Sequence, residues 1–378
     1  MCENKNIPIL IANTSPFRLI CRDEKDKWEP TLDEINSRTY DYVKLHRLSA
    51  FVDVGIAPFS LGMAFDGSLI LPLLPKFKDK QIAIEIFNRT LGELLLGGIF
   101  TEAVLPENIT IGRLTLDSYF NQVSMPKGLI SQFHAAILSK HVGNLDVIKL
   151  LNPPKIILSK INNSLIRGRE ILKRIPTFST DVLLSGTSFF IKHQWHEALI
   201  LFWTNVEQVV DYIWENEIVK KDSPENIKIS GRKTFLQDYR TWPVSTRIEV
   251  LYQRGLINIR LYKFFNNARK ARNELIHKGI YPTQKSVISA ICGLFKLISL
   301  VISDYKDSKS LNDVYKLIFK YRMGEIELKE KKLSLDKVTC WLELPSIPGD
   351  VSWGDQPFEV IESLKLKKID GLKKGIQN

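Results

Sequence analysis

Apolar residues recur at helical spacing through most of the C-terminal half of the chain. The clearest stripe consists of Leu199, Phe202, Val206, Val209 or Val210, and Ile213. Residues three and four positions apart share one face of a helix, so this spacing predicts amphipathic helices around a common core. The predicted helices are 181–195 and 197–218 (a pair or one bent helix), 244–253, 258–278, 283–305 and 311–321. Short connections between them predict an all-α bundle with antiparallel neighbours.

The N-terminal half mixes strand and helix patterns. Strands are predicted at 7–12 and in parts of 50–74 and 100–114. Asp66-Gly67 lies between two apolar runs and predicts a hairpin, because this dipeptide supplies the positive φ angles of a tight turn. Helices are predicted at 31–44, 79–96, 128–141 and 156–174, with Thr31 and Asp79 as N-caps. The expected fold class is therefore mainly α, with α+β structure in the N-terminal half.

The chain is long enough for two domains and a tail. The segment 175–179, which contains Pro176, ends helix 156–174 and marks the preferred boundary. We predict an N-terminal α+β domain at 1–176, a helical domain at 177–325, and a partly irregular tail at 326–378. Two tryptophans in the tail favour partial docking.

The end of predicted helix 258–278 carries a concentration of polar chemistry. Leu261, Phe264, Phe265, Ala268 and Leu275 form its predicted buried stripe. Gly279 supplies the left-handed residue that often ends a helix, and Pro282 prevents a restart. A helix end at this point exposes whatever polar side chains the last turns carry.

Those last turns carry a cation, an amide and an imidazole. At about 100° per residue, Arg269, Asn273 and His277 stack at successive i, i+4 positions, and Arg272 lies on the flank. These three kinds of group, concentrated at one exposed helix end, suit phosphate chemistry.

Arg272-Asn273-x-x-x-His277 resembles the R-x(4–6)-H signature, in its RNxxxH form, of the HEPN superfamily. These are all-α domains of many prokaryotic toxins, antiphage and abortive-infection proteins, and CRISPR effectors. The resemblance covers roughly 181–321 and implies a HEPN-like helical bundle. It also implies a metal-independent endoribonuclease in which two copies, here a homodimer, bring both motifs to one cleft.

The resemblance gives each polar residue an expected role. His277 would move the proton of the ribose 2′-hydroxyl, because imidazole is suited to proton transfer near neutral pH. Arg272 would stabilise charge on the phosphate, since a guanidinium offers paired hydrogen bonds. Asn273 would orient the imidazole or bind a phosphate oxygen. Glu207, on the preceding long helix, would hold Arg272 or His277 in place; a glutamate facing solvent fits the pattern equally well.

Positive charge surrounds this motif. Glu274 is the only acid in 251–278, and the whole chain has a formal net charge of +11. Both observations predict an anionic partner, and we expect RNA to contact a set of nearby cations. That set is Arg269, Lys270, Lys263 and Lys278. The alternative is a non-catalytic helical module that binds RNA or protein. In that module, Arg272 and Asn273 would cap the free carbonyl groups at the helix end, and His277 would add favourable charge there.

Other classes of chemistry find little support. Cys2, Cys21, Cys292 and Cys340 form no CxxC. His193, His196 and Glu197 lack further ligands nearby, so no metal site is expected. The sequence contains no GxGxxG, P-loop or GxSxG motif, and we expect no cofactor.

Segment 287–302 is the most apolar run, but Lys296 and three small or polar residues interrupt it. It predicts a buried core helix rather than a membrane span. The first residues lack the layout of a signal peptide, so a cytoplasmic protein without a membrane partner is expected.

Overall fold

The computed structural model describes residues 6–55, 60–221, 228–302 and 308–321. Contacts divide the chain into two compact units, Met1–Met323 and Gly324–Asn378. The helices and strands below all lie in the first unit. The predicted tail at 326–378 lies outside the described residues.

Eight strands occur in the described residues, all in the N-terminal half. They are β1 (Ile7–Ala12), β2 (Leu19–Cys21), β3 (Leu48–Val52), β4 (Leu61–Ala64), β5 (Leu69–Pro72), β6 (Ile109–Leu114), β7 (Phe120–Gln122) and β8 (Lys155–Ile157). Six of them form an antiparallel sheet in the order β3-β4-β5-β1-β6-β7. β2 and β8 pair in parallel beside it. The α+β character expected for this half is therefore confirmed.

Twelve α-helices lie in the same described part of the chain. They are α1 (Leu32–Asn36), α2 (Lys80–Leu96), α3 (Leu129–Leu138), α4 (Asn144–Leu151), α5 (Leu158–Arg174), α6 (Thr180–Ile191), α7 (Trp195–Ile213), α8 (Arg232–Gln237), α9 (Val244–Gln253), α10 (Ile259–Lys278), α11 (Gln284–Val301) and α12 (Ser308–Tyr321). One wider helical turn, Trp214–Val219, continues α7. The prediction of a mainly α chain is confirmed.

The local signals placed most of these elements. Gly67 has a φ of 88° in the β4–β5 hairpin, as the Asp-Gly dipeptide predicted. The N-cap predictions are also confirmed, because each capping side chain accepts a hydrogen bond from the first turn of its helix. The two predicted caps are Thr31 and Asp79, and Thr283 caps α11 in the same way.

The predicted helix 31–44 is wrong in its length. α1 stops at Asn36, and Arg38 then takes a left-handed φ of 61°. The chain turns there because Tyr40 is drawn into the core, where its hydroxyl donates to the backbone oxygen of Ile137. Tertiary packing thus ends a helix that its own sequence would have continued.

The sheet is covered on both faces. Alternate residues of β1 enter two different cores, as the two-residue period of a strand requires. Leu10 and Ala12 face the core shared with α2 and the C-terminal helices. Ile9 and Ile11 face a smaller core formed with α1, α3 and α4. The sheet is therefore a buried layer of the first unit.

The larger core continues across the predicted boundary at residue 176. α2 packs against α5 and α6, and α7 packs in turn against α6, α9, α10 and α11. One hydrophobic cluster joins Leu10 in β1 to Ile298 in α11. The two halves therefore share one hydrophobic core. The division into domains at 1–176 and 177–325 stays a prediction.

Two helical glycines permit these close approaches. A Cβ on Gly168 of α5 would lie 2.0 Å from the backbone oxygen of Glu93, and one on Gly92 of α2 would lie 2.3 Å from that of Thr180. We expect Gly168→Ala to lower the free energy of unfolding by about 1–3 kcal/mol, because the α2–α5 backbones would have to separate.

Urea denaturation of the full chain measures this change, and Asn162→Ala supplies the control. Asn162 is exposed on the same helix, so its replacement adds a better helix former without a clash. Equal stability of the wild type and Gly168→Ala would contradict this account of the packing.

By length and composition alone, α11 could cross a membrane; its mean hydropathy is 1.5 over 18 residues. In the structure, 56% of that stretch is buried, and it packs against α7 and α10. The predicted core helix at 287–302 is therefore confirmed as a packing element of the bundle.

Candidate functional site

α10 begins and ends at the predicted residues. Asn258 caps its first turn by accepting from the Leu261 backbone N–H at 2.9 Å. Gly279 ends it with a φ of 66°, and its N–H donates to the Leu275 oxygen at 3.0 Å. Both signals are local, which is why the sequence was sufficient to locate them.

The buried stripe of α10 is shorter than predicted. Leu261, Phe265, Ala268 and Ala271 are buried. The predictions for Phe264 and Leu275 are wrong, because both residues are only half-buried. Ile276 and the two residues after it are exposed, so the last turn projects beyond the helices that cover the rest of α10. The polar motif thus lies on a helix end that neighbouring helices do not enclose.

Arg272 is half-buried and contacts its neighbour in the motif. Its Nη1 donates to the Oδ1 of Asn273 at 3.3 Å. The guanidinium also interacts electrostatically with Glu207 of α7. Arg272 therefore links the motif to the neighbouring helix of the bundle.

Glu207 lies in a partly desolvated position on α7. Its side chain is half-buried, and Trp203 Nε1 donates to its Oε1 at 2.6 Å. Burial raises the pKa of the Glu207 carboxyl, and the charge of Asp211 raises it further. The hydrogen bond from Trp203 and the charge of Arg272 partly oppose this rise. The structure therefore brings Glu207 within electrostatic reach of Arg272, as the resemblance suggested.

This raised pKa predicts a pH-dependent stability. Between the ordinary Glu pKa of 4.5 and the raised value, folded Glu207 binds more protons than the unfolded chain does. Raising the pH through that interval therefore favours unfolding. We expect the free energy of unfolding of Glu207→Gln, relative to the wild type, to increase as the pH rises from about 4.5 toward neutrality.

Urea unfolding at a series of pH values measures this difference. A difference that stays constant across the range would contradict the raised pKa. The Gln side chain keeps an oxygen for Trp203, so the hydrogen bond at 2.6 Å should survive the substitution.

His277 and Asn273 line an open groove of about 410 Å³. The groove is formed along α10 itself, and its remaining lining residues are Asn266, Arg269, Lys270, Glu274 and Lys278. The His277 imidazole is exposed and has no side-chain hydrogen bond to any described residue. Its ring nitrogens are therefore available to a ligand.

The motif is thus divided between two surroundings. Arg272 does not line the groove and lies toward α7, whereas His277 faces solvent. Asn273 connects them, because it accepts from Arg272 and lines the groove with His277. Among the described residues, one helix thus supplies the wall of the groove and an accessible imidazole, and the guanidinium of Arg272 lies beside it on the side of α7.

Cations follow the groove along the helix. Lys263 and Lys270 are seven residues apart and share one face of α10 with His277. Lys263, Lys270 and Lys278 are exposed and form no ion pair with a described residue. Arg269 is half-buried, and its Nη2 donates to Asn266 Oδ1 at 3.0 Å. The predicted RNA-contacting residues thus lie on or beside the groove that contains His277.

The histidines before α7 take part in aromatic packing. The rings of His193 and Trp195 stack at 4.8 Å, and His196 packs edge-on against Tyr281. His196 Nε2 lies 2.7 Å from a carboxylate oxygen of Glu197. In the part of the chain that the structure describes, no three His, Cys, Asp or Glu side chains group to hold a metal ion.

The sequence analysis did not identify Trp203 as the hydrogen-bond partner of Glu207. Their spacing could have predicted the contact, because residues four positions apart lie on the same face of a helix. No family model, no curated protein and no solved structure matches this chain.

Proposed function

We propose that this chain is a metal-independent endoribonuclease of the HEPN type, with its site at the C-terminal end of α10. The arrangement around Asn273 is the observation that carries the proposal. Arg272 donates to this side chain at 3.3 Å, and the free imidazole of His277 opens onto the groove that Asn273 lines. A cation beside an accessible proton acceptor suits cleavage of a phosphodiester.

In the proposed reaction, His277 removes the proton of a ribose 2′-hydroxyl. The 2′-oxygen attacks the adjacent phosphorus, the bond from phosphorus to the 5′-oxygen breaks, and that oxygen takes a proton from water as it leaves; His277 then returns its proton to water. The products are a 2′,3′-cyclic phosphate and a 5′-hydroxyl. Arg272, which Asn273 connects to the groove, stabilises negative charge on the phosphate oxygens, and Glu207 interacts electrostatically with the guanidinium.

The one-sided groove supports a homodimer as the active form. A second copy of α10 would supply the missing wall and a second set of motif side chains. It would also exclude water from the groove and strengthen the electrostatic interactions with the phosphate. Arg269, Lys270, Lys263 and Lys278 would then hold the RNA backbone on both sides of the scissile bond.

A toxin or antiphage role in abortive infection follows from the motif resemblance and forms part of this proposal. Such a protein would arrest growth by cleaving cellular RNA. Growth arrest on expression, relieved by His277→Ala, is the result this role requires.

The direct test incubates the full chain with tRNA and mRNA in the presence of a chelator. The proposal requires time-dependent products that end in cyclic phosphate. Intact RNA at every protein concentration, including those at which the chain is dimeric, would overturn it.

A second candidate is a non-catalytic RNA-binding module. The observation in its favour is that no described side chain orients the His277 imidazole. This candidate requires RNA binding that weakens steeply with salt, as expected for several phosphate contacts, without any turnover. Formation of cyclic phosphate would exclude it.

A further inference from the structure

A cavity of about 400 Å³ lies in the N-terminal half, and none of its lining residues belongs to α10. Four chain segments form it: the loop between β1 and β2, the start of α3, the end of α4, and the residues just before β8. Its size falls within the range of about 300–1,000 Å³ that is typical of small-molecule sites. Convergence of separate segments on one concavity distinguishes it from the open groove of α10.

Aromatic rings form the inner wall of this cavity. Phe17 and Phe133 pack edge to face with their centroids 5.3 Å apart. Phe17 is buried, and the side chain of Leu129 at the rim is 83% exposed. The walls therefore favour a flat, apolar body that enters past Leu129 and contacts the rings.

Two polar side chains of the cavity, an ammonium and an amide, have no hydrogen-bond or ion-pair partner in the described chain. Lys149 Nζ lies 4.5 Å from the centroid of the Phe133 ring and forms no ion pair with a described residue. The exposed amide of Asn152 has no hydrogen bond within the described chain. No acidic residue lines the cavity. An ammonium and an amide beside an aromatic wall complement a molecule that carries one negative charge.

The floor of the cavity is fixed before any ligand binds. The Thr14 backbone oxygen accepts from His134 Nε2 at 3.0 Å, and the Thr14 hydroxyl donates to the Gly67 oxygen at 2.9 Å. Ser15 donates to Glu102 Oε1 at 2.9 Å, and its backbone oxygen accepts from the Glu102 N–H at 2.7 Å. A floor held in this way loses little conformational entropy when a ligand binds.

We propose that this cavity is a binding site for a small aromatic anion. The ring system would lie against Phe17 and Phe133, and the acidic group would lie between Lys149 and Asn152. This site is independent of the proposed ribonuclease site and assigns a ligand-binding role to the N-terminal half of the chain.

Anilinonaphthalene sulfonate, a flat aromatic anion with a fluorescence readout, is the probe for this proposal. Its uncharged parent, phenylnaphthylamine, reports the apolar contribution alone. We expect saturable binding of the sulfonate to the full chain with one site per chain. Lys149→Gln should weaken that binding about fivefold, the size of one charge interaction at a partly exposed site, and leave the uncharged probe unchanged. Asn152→Asp should act in the same direction, because it adds a negative charge at the same wall.

Lys140→Gln is the matched control. Lys140 Nζ lies 4.2 Å from the centroid of the Tyr42 ring, so it makes the same kind of contact but does not line the cavity. Its replacement should leave the binding of both probes unchanged. Lys149 and Asn152 are exposed, so both cavity variants should keep the wild-type circular dichroism and melting temperature. Equal effects of the cavity variants on the two probes, or equal effects of Lys149→Gln and Lys140→Gln on the sulfonate, would overturn the proposal.

Discussion

His277→Ala is expected to slow RNA cleavage by about 10²–10⁴-fold, the usual contribution of one positioned proton-transfer group. The imidazole is exposed, so its removal leaves no cavity and no buried group without a partner. Folding should therefore be unaffected, and the loss should fall on the chemical step. Single-turnover rates at saturating protein, measured in chelator, separate that step from RNA binding.

His141→Ala provides the control for this experiment. His141 is also exposed but lies after α3, in the N-terminal half, where its Nδ1 is 2.7 Å from the Ser139 backbone oxygen. This substitution should leave cleavage at the wild-type rate. Cleavage by His277→Ala at the wild-type rate would remove the assignment of the site, even if RNA binding persisted.

Asp66→Ala is expected to lower the free energy of unfolding by about 3–5 kcal/mol, the usual cost of breaking a buried ion pair or hydrogen-bonded charge network. The side chains of Asp66 and His134 are fully buried, with 2.8 Å between Oδ2 and Nδ1. Asp66 also accepts from the Ser68 hydroxyl at 2.9 Å and from the Ser68 N–H at 3.0 Å. Its removal leaves the two Ser68 donors and the His134 ring in the interior without this partner.

Asp117→Ala is the matched control for the stability measurement. Asp117 is exposed in the turn between β6 and β7 and has no hydrogen bond to a described residue. Its replacement should change the free energy of unfolding by less than about 0.5 kcal/mol. Urea denaturation followed by circular dichroism measures both variants. Similar midpoints for Asp66→Ala and the wild type would show that the buried network contributes little.

The same network connects stability to the N-terminal cavity. His134 lies between Asp66 and the Thr14 backbone oxygen that forms part of the cavity floor. Loss of Asp66 should therefore loosen the floor as well as the core. We expect Asp66→Ala to weaken the binding of both fluorescent probes, whereas Lys149→Gln should weaken the binding of the sulfonate alone. This difference would separate the contribution of the cavity's shape to binding from the contribution of its charge.

The ends of helices and the tight turn could be predicted from the sequence, because residues close in the chain determine their conformation. Asn258 and Gly279 bound α10 at the predicted residues, and Asp66-Gly67 forms the predicted hairpin turn. Caps and tight turns depend on hydrogen bonds within a few residues, so no distant part of the fold has to be known. The mainly α character followed from helical periodicity for the same reason.

Two short helices were missed, and one helix whose length depends on distant contacts was misjudged. Helix α4 and the short helix α8 were not predicted. The helix expected at 31–44 ends at Asn36, because Tyr40 packs into a core formed by residues far along the chain. Propensity is a weak guide where burial determines the conformation.

The sequence by itself determined the helical periods, the caps, the hairpin and the concentration of Arg272, Asn273 and His277 at one helix end. Only the tertiary structure decided which surroundings each of them meets: Arg272 lies toward Glu207, and His277 remains in an open groove. It also decided that one core runs from the sheet into the bundle. Spacing along a chain fixes which residues share a face, but the burial and charge around that face come from helices remote in sequence.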